Sequence, residues 1–72
     1  MILNDFLTSL SVEFYKRWNI VIFSVMNQSV VGSVIEGKTL IPNNVLHYNY
    51  ICMDIKKNTR IPGKEILHIT VE

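Results

Sequence analysis

The chain has 72 residues, a formal net charge of +1 and a hydrophobic fraction of 49%. This length allows one domain, residues 1–72, and the hydrophobicity excludes an intrinsically disordered chain. The longest apolar run, Ile20 to Met26, is far shorter than the roughly 20 residues that a membrane span requires. Asp5 stands where a secretory signal carries basic residues, so the sequence predicts a cytoplasmic protein with no membrane partner.

A domain of this size has a thin core, because it buries only about 60% of the surface of its unfolded chain. Small domains compensate with disulfides, metals or self-association. Cys52 is the only cysteine, which excludes an internal disulfide and favours a reducing compartment. With His47 and His68 it does not form a zinc motif of known spacing. We therefore expect no cofactor and no metal, and we expect a homo-oligomer.

A helix is predicted over about residues 4–17. Asn4 is a favourable N-cap, and Asp5 in the first turn complements the helix dipole. Apolar residues recur at helical spacing at Leu3, Leu7, Leu10, Phe14 and Trp18. We expect Asn19 to end this amphipathic helix in a left-handed cap.

About five strands are predicted over residues 19–72. Residues 20–26 are β-branched and aromatic with apolar side chains on both faces, which indicates a strand covered on both sides. Residues 30–36 form the second strand, in which Gly32 marks a bend or a bulge. After a break at Gly37 and Lys38, the strand resumes over residues 39–41.

Residues 45–55 are predicted as one long third strand. Its alternation places Leu46, Tyr48, Tyr50 and Cys52 on one face. A polar turn at 56–59, a short strand at 60–61 and a last strand over 66–71 complete the chain. This order predicts a mainly β fold with one N-terminal helix and a strongly bent, closed sheet of five strands. The alternative is an α+β fold, in which the helix crosses one face of an antiparallel sheet.

Three stretches carry a family resemblance. Residues 18–27 resemble a first barrel strand and its turn, and residues 30–35 resemble a second strand with its bend glycine. Residues 60–71 have the spacing of a fourth strand, a one-turn 3₁₀ link and a fifth strand. Together these stretches resemble the Sm-like (Hfq-type) small β-barrels and their SH3-like relatives. The resemblance implies a five-stranded barrel whose edge strands are completed by neighbouring subunits in a ring.

The chain departs from that family at the positions that matter for function. Gln28 stands where a turn glycine is usual. Residues 36–38 stand where Sm-like proteins often place an aspartate of the RNA pocket. The last link, residues 63–65, matches neither the Arg-Gly of Sm proteins nor the Tyr-Lys-His of Hfq. The RNA-contact residues of the family therefore do not carry over to this chain.

Catalytic residues are not predicted. The only nucleophile and base that the sequence offers are Cys52 with His47 or His68, and the apolar setting of Cys52 is typical of a small core residue. The acidic residues are scattered, and the sequence has neither a glycine-rich phosphate loop nor a metal motif. These patterns indicate that the chain is not an enzyme.

Binding residues are predicted in one turn. A basic cluster that could meet phosphates consists of Lys56, Lys57, Asn58 and Arg60, with Lys64 nearby and Lys38 in another loop. The alternative interpretation of this cluster is a solvated turn. Tyr48 and Tyr50 lie two residues apart, where they could stack nucleic-acid bases or contact a subunit. The alternative for both tyrosines is a place in the core.

Two functions follow from these patterns. The first hypothesis is a non-enzymatic Sm-like binding module that self-assembles and binds RNA, single-stranded nucleic acid or a nucleotide. The second is a small protein-binding inhibitor or adaptor for a host or partner protein, of the kind that viruses and mobile elements encode. The second rests on the small size, the near-neutral charge and the surplus of apolar and tyrosine residues.

Overall fold

The computed structural model of the protein describes residues 1–10, 18–57 and 65–72. The elements are helix α1 (Leu3–Ser9), strands β1 (Trp18–Ser24), β2 (Ser29–Ile35) and β3 (Lys38–Leu40), a 3₁₀ turn (Val45–His47), and strands β4 (Tyr50–Lys57) and β5 (Glu65–Val71). Within these residues the fold is mainly β, with five strands in one sheet and one N-terminal helix. This confirms the predicted mainly β fold with one N-terminal helix, whereas the closure of the sheet into a barrel stays a prediction.

The sheet is mixed, and its strand order is β3-β2-β1-β5-β4. β1 lies at the centre, antiparallel to β2 and parallel to β5. β4 pairs antiparallel with β5, and β3 pairs antiparallel with β2. Within the described part of the chain, β3 and β4 are therefore the two edges of the sheet.

One face of the sheet holds the core. In the two central strands, Ile20 lies opposite Leu67 and Ile22 lies opposite Ile69, and all four side chains are fully buried. The buried apolar side chains of the described residues are Leu3, Leu7, Ile20, Ile22, Val34, Val45, Leu67, Ile69 and Val71. Helix α1 and the 3₁₀ turn therefore cover the same sheet face as the inward residues of β1 and β5.

Helix α1 is joined to the segment that precedes β4. The Leu3 N–H donates to the Tyr48 carbonyl at 2.8 Å, and the Tyr50 N–H donates to the Met1 carbonyl at 2.9 Å. Leu3 and Leu7, one helical turn apart, are the buried residues of this short helix. An isolated helix of seven residues is unstable in water, so packing and these backbone bonds stabilise it.

The predicted helix is longer than the observed one. Leu10 has an extended backbone (φ −78°, ψ 141°), so the helix ends at Ser9, and the predicted residues 11–17 lie outside the described part. The hydroxyls of Thr8 and Ser9 donate to the carbonyls of Asn4 and Phe6. Serine and threonine side chains of this kind compete with the helical backbone bonds, which favours an early end. Asn19, predicted as a helix cap, lies in β1 instead.

The predicted third strand begins too early. The Val45 N–H donates to the Pro42 carbonyl. The next two amides donate to the carbonyls of Asn43 and Asn44, so this segment is a 3₁₀ turn. A register shift between Tyr50 and Cys52 places Tyr50 opposite Val71 and Cys52 opposite Thr70. Because opposite residues share a sheet face, Tyr50 and Cys52 lie on different faces, contrary to the predicted alternation.

Gly32 marks a bulge, as predicted. It lies opposite Ile22, directly beside the register shift between β1 and β2. A Cβ atom at Gly32 would lie 3.3 Å from Cγ1 of Ile41 and 3.4 Å from its Cα. The glycine therefore lets the chain that follows β3 pack closely against the centre of β2.

Candidate protein-interaction surface

Half of the predicted basic cluster lies outside the described residues. Asn58, Arg60 and Lys64 belong to residues 58–64, which the structure does not describe. Lys56 and Lys57 are the last residues of β4 rather than parts of a turn, and Lys56 is exposed. A role of this cluster in binding nucleic acid stays a prediction.

Lys38 and Lys56 lie on different edge strands of the described sheet. Lys38 begins β3, and Lys56 lies in β4 at the opposite edge of the sheet. Four inter-strand spacings of about 4.8 Å separate these two strands, which amounts to about 19 Å. Along the sheet of one copy, three strands therefore separate Lys38 from Lys56.

The two predicted tyrosines pack against the core. Both are half-buried and lie against the buried apolar cluster. The ring of Tyr50 stacks on Phe6, with 4.3 Å between ring centroids and 15° between ring planes. One face of the Tyr50 ring is thus covered by helix α1, which favours the core interpretation of this residue.

Cys52 and the two histidines lie in different settings. Cys52 is exposed on β4, contrary to the expected core position, and His47 is exposed in the 3₁₀ turn. His68 is half-buried in β5, opposite Asp54, and its ring stacks on Phe23 with 6.1 Å between centroids. Within the described ranges, no group of three or more His, Cys, Asp or Glu side chains could hold a metal ion.

The exposure of edge strand β4 was not predicted from the sequence. Ile51, Met53 and Ile55 are 46%, 47% and 57% exposed, and every residue from Ile51 to Lys56 is exposed. Apolar residues alternate with Cys52, Asp54 and Lys56 along this stretch. That alternation was visible in the sequence, but it does not reveal whether a strand lies inside a sheet or at its edge.

The apolar side chains of β4 continue the core face of the sheet. Met53 lies opposite Ile69 and Ile55 lies opposite Leu67, and both partners are fully buried. Asp54 and Lys56 lie opposite His68 and Ile66, on the other face. We call the exposed stretch from Ile51 to Lys56 the β4 edge. It combines an apolar rim on one face with two opposite charges on the other.

The backbone of the β4 edge is open on one side. Among the described residues β4 pairs only with β5, so the amides and carbonyls that point away from β5 have no strand beside them. Such an edge is a template for pairing with another polypeptide. The opposite edge, β3, has only three residues, a length that limits strand addition.

Comparisons of this chain with protein families, characterised proteins and solved structures found no match. The Sm-like resemblance therefore stays a prediction. Within the part of the chain that the structure describes, no helix is long and apolar enough to cross a membrane.

Proposed function

We propose that this chain is a non-enzymatic protein-binding module that accepts a strand of another polypeptide at the β4 edge. The observation that carries the proposal is the exposure of Ile51, Met53 and Ile55 on a strand that, among the described residues, pairs only with β5. Strand addition derives affinity from backbone hydrogen bonds and specificity from alternate side chains, and the β4 edge offers both. Large apolar side chains exposed together in a small protein are typical of an interaction surface.

Photo-cross-linking in cells tests this proposal. A benzoylphenylalanine at Met53 places the reactive group on the β4 edge, and the same group at Asn27 lies in the exposed turn between β1 and β2. We expect the Met53 probe to form defined cross-links to a polypeptide, identified by mass spectrometry, and the Asn27 probe to form none. Equal cross-linking from both positions would contradict the proposal.

A matched pair of substitutions adds a control. Ile55→Lys introduces a charge on the β4 edge, whereas Leu40→Lys introduces the same charge on β3, at a side chain that is 60% exposed. A lysine on an exposed strand edge opposes strand pairing. We expect Ile55→Lys to abolish the Met53 cross-links, while Leu40→Lys leaves them unchanged.

We also propose, as a second function, the self-assembling Sm-like module that binds RNA, single-stranded nucleic acid or a nucleotide. The exposure of Lys56 near the end of β4 favours it, because an exposed lysine can meet a phosphate. Asp54, two residues away on the same sheet face, reduces the local positive potential and weakens this case.

The test of this second function is the binding of single-stranded RNA across salt concentrations. Unchanged affinity in Lys56→Glu/Lys57→Glu at every salt concentration would contradict this second function.

A further inference from the structure

We propose that the polypeptide that pairs with the β4 edge is a second copy of this chain, in an antiparallel pair whose two-fold axis passes through Ile55. This inference rests on the proposed function, and it names the partner of the same edge. Two copies joined in this way would form one continuous sheet, with the apolar rims of both copies on the same face.

The geometry of a two-fold strand pair limits the choice of register. The axis stands perpendicular to the sheet, so one residue lies opposite its own copy and its neighbours lie opposite each other in reciprocal pairs. An axis through Asp54 would place two aspartates directly opposite each other. An axis through Lys56 would do the same with two lysines. Like charges in directly opposite positions destabilise a strand pair.

An axis through Ile55 places opposite charges across from each other. Asp54 of each copy then lies opposite Lys56 of the other, so two pairs of opposite charge flank the axis. Both side chains are exposed, and both lie on the sheet face that bears His68 and Ile66. Axes through Cys52 or Met53 do not place Asp54 opposite Lys56.

The same axis covers apolar surface. Ile55 is 57% exposed in one copy, and its counterpart would lie directly across the axis on the core face of the sheet. The regular pairing with β5 runs from Cys52 to Lys57, so the register shift near Ile51 lies away from the axis. The charge pairs therefore select this register, and the contact between the two Ile55 side chains adds to it. An axis through Met53 would pair more apolar residues, but it would leave Asp54 and Lys56 without an opposite charge across from them.

Cysteine substitution in a Cys52→Ser background tests the register. Directly opposite residues have Cα atoms about 4.5–5.5 Å apart, within the range that a disulfide spans. We expect Ile55→Cys to form a disulfide-linked dimer on mild oxidation, and Met53→Cys and Asp54→Cys to stay monomeric in denaturing electrophoresis. A dimer from Met53→Cys or Asp54→Cys instead of Ile55→Cys would overturn the register, and no dimer from any of the three would overturn self-pairing.

A charge exchange tests the same contact without cysteines. Asp54→Lys or Lys56→Asp alone places like charges opposite each other, whereas Asp54→Lys/Lys56→Asp together restores two pairs of opposite charge. We expect sedimentation to show a dimer that weakens at least tenfold in each single variant and recovers in the double variant, with unchanged circular dichroism throughout. Failure of the double variant to recover would overturn the inference. If the photo-cross-links at Met53 lead only to a different polypeptide, this inference fails while strand addition at β4 stands.

Discussion

Gln28 and Asn19 differ in how far the local sequence predicts what each residue does. Gln28 has φ 52°, in the left-handed region that favours glycine, and it ends the turn between β1 and β2. The Sm-like resemblance placed a turn glycine at this position, and the observed conformation explains why a glycine would suit it. At Asn19 the neighbouring residues gave no such signal, because the group that its side chain binds, the Glu36 N–H, belongs to another strand end.

Gln28→Gly is expected to stabilise the protein. Glycine removes the steric cost of a left-handed conformation, which we estimate at about 0.5–1 kcal/mol after the greater entropy of the unfolded chain is counted. The free energy of unfolding from urea titration checks this. Asn27→Gly is the control, because Asn27 does not have a positive φ, and we expect it to be neutral or destabilising. Equal stabilisation by both variants would show that the turn does not require a left-handed residue.

Asn19→Leu is expected to destabilise the protein by about 1–2 kcal/mol. The side chain is 4% exposed, and its Oδ1 accepts a hydrogen bond from the Glu36 N–H at 3.0 Å. Leucine keeps the branched outline of the side chain and removes the acceptor, so the Glu36 N–H loses this partner. Thermal unfolding measures the change. An unchanged melting temperature would mean that water replaces the acceptor at no cost.

Gly32→Val is expected to destabilise the protein by about 1–3 kcal/mol, because the added atoms meet the backbone and side chain of Ile41. Ser33→Val, at the next residue of β2, is the control for strand propensity. Urea titration of both variants separates the two effects. If Gly32→Val is as stable as Ser33→Val, Ile41 moves aside freely.

At the scale of elements, one aromatic pair adds side-chain packing to the backbone hydrogen bonds between the N-terminal segment and the start of β4. Tyr50 begins β4 and stacks on Phe6 of the helix. The register shift beside Tyr50 exchanges the sheet faces on which the following residues of β4 lie. Tyr50 therefore joins the N-terminal helix to the edge strand. The exposed residues of the β4 edge begin immediately after it.

A double-mutant cycle of Phe6→Leu and Tyr50→Leu is expected to give a coupling free energy of about 0.5–1.5 kcal/mol. Urea titrations of the two single variants and the double variant provide it. Phe6→Leu with Phe23→Leu is the control cycle, since Phe23 lies on the other face of the sheet, opposite Thr70. A coupling free energy near zero for Phe6 and Tyr50 would mean that their contact stabilises the protein only through the area it buries.

Strands β1, β2 and β5 could be predicted to within one or two residues from their β-branched runs and the flanking turn residues. The start of β4 could not, because alternation over residues 45–49 fits a strand as well as the 3₁₀ turn that follows Pro42. The candidate surface was predicted only as a surplus of apolar residues. Its location depends on which strands become edges, and that follows from the long-range pairing of β1 with β5.

At the scale of the whole molecule, the buried residues of β5 connect the two halves of the sheet. Ile69 is fully buried and lies opposite Ile22 in β1 and Met53 in β4. A chain of this length has about 4–11 kcal/mol of stability in total. The loss of one central side chain therefore takes a large share of it.

Ile69→Ala is expected to cost about 2–5 kcal/mol, and Ile69→Val about 0.5–1.5 kcal/mol. The comparison with Val30→Ala, at a side chain that is 58% exposed, separates the central position from general loss of apolar surface. Urea midpoints measured by circular dichroism give all three values. A similar midpoint shift for Ile69→Ala and Val30→Ala would contradict a core organised around β5.

The parallel pairing of β1 with β5 also has a consequence during translation. β1 is synthesised before one of its two neighbours, β5, which is made of residues 65–71. Until those residues leave the ribosome, Ile20 and Ile22 have no β5 beside them, and β1 is itself an open edge. Chaperones that bind extended apolar segments would find their target in the nascent chain at β1, and they would lose it when β5 inserts between β1 and β4.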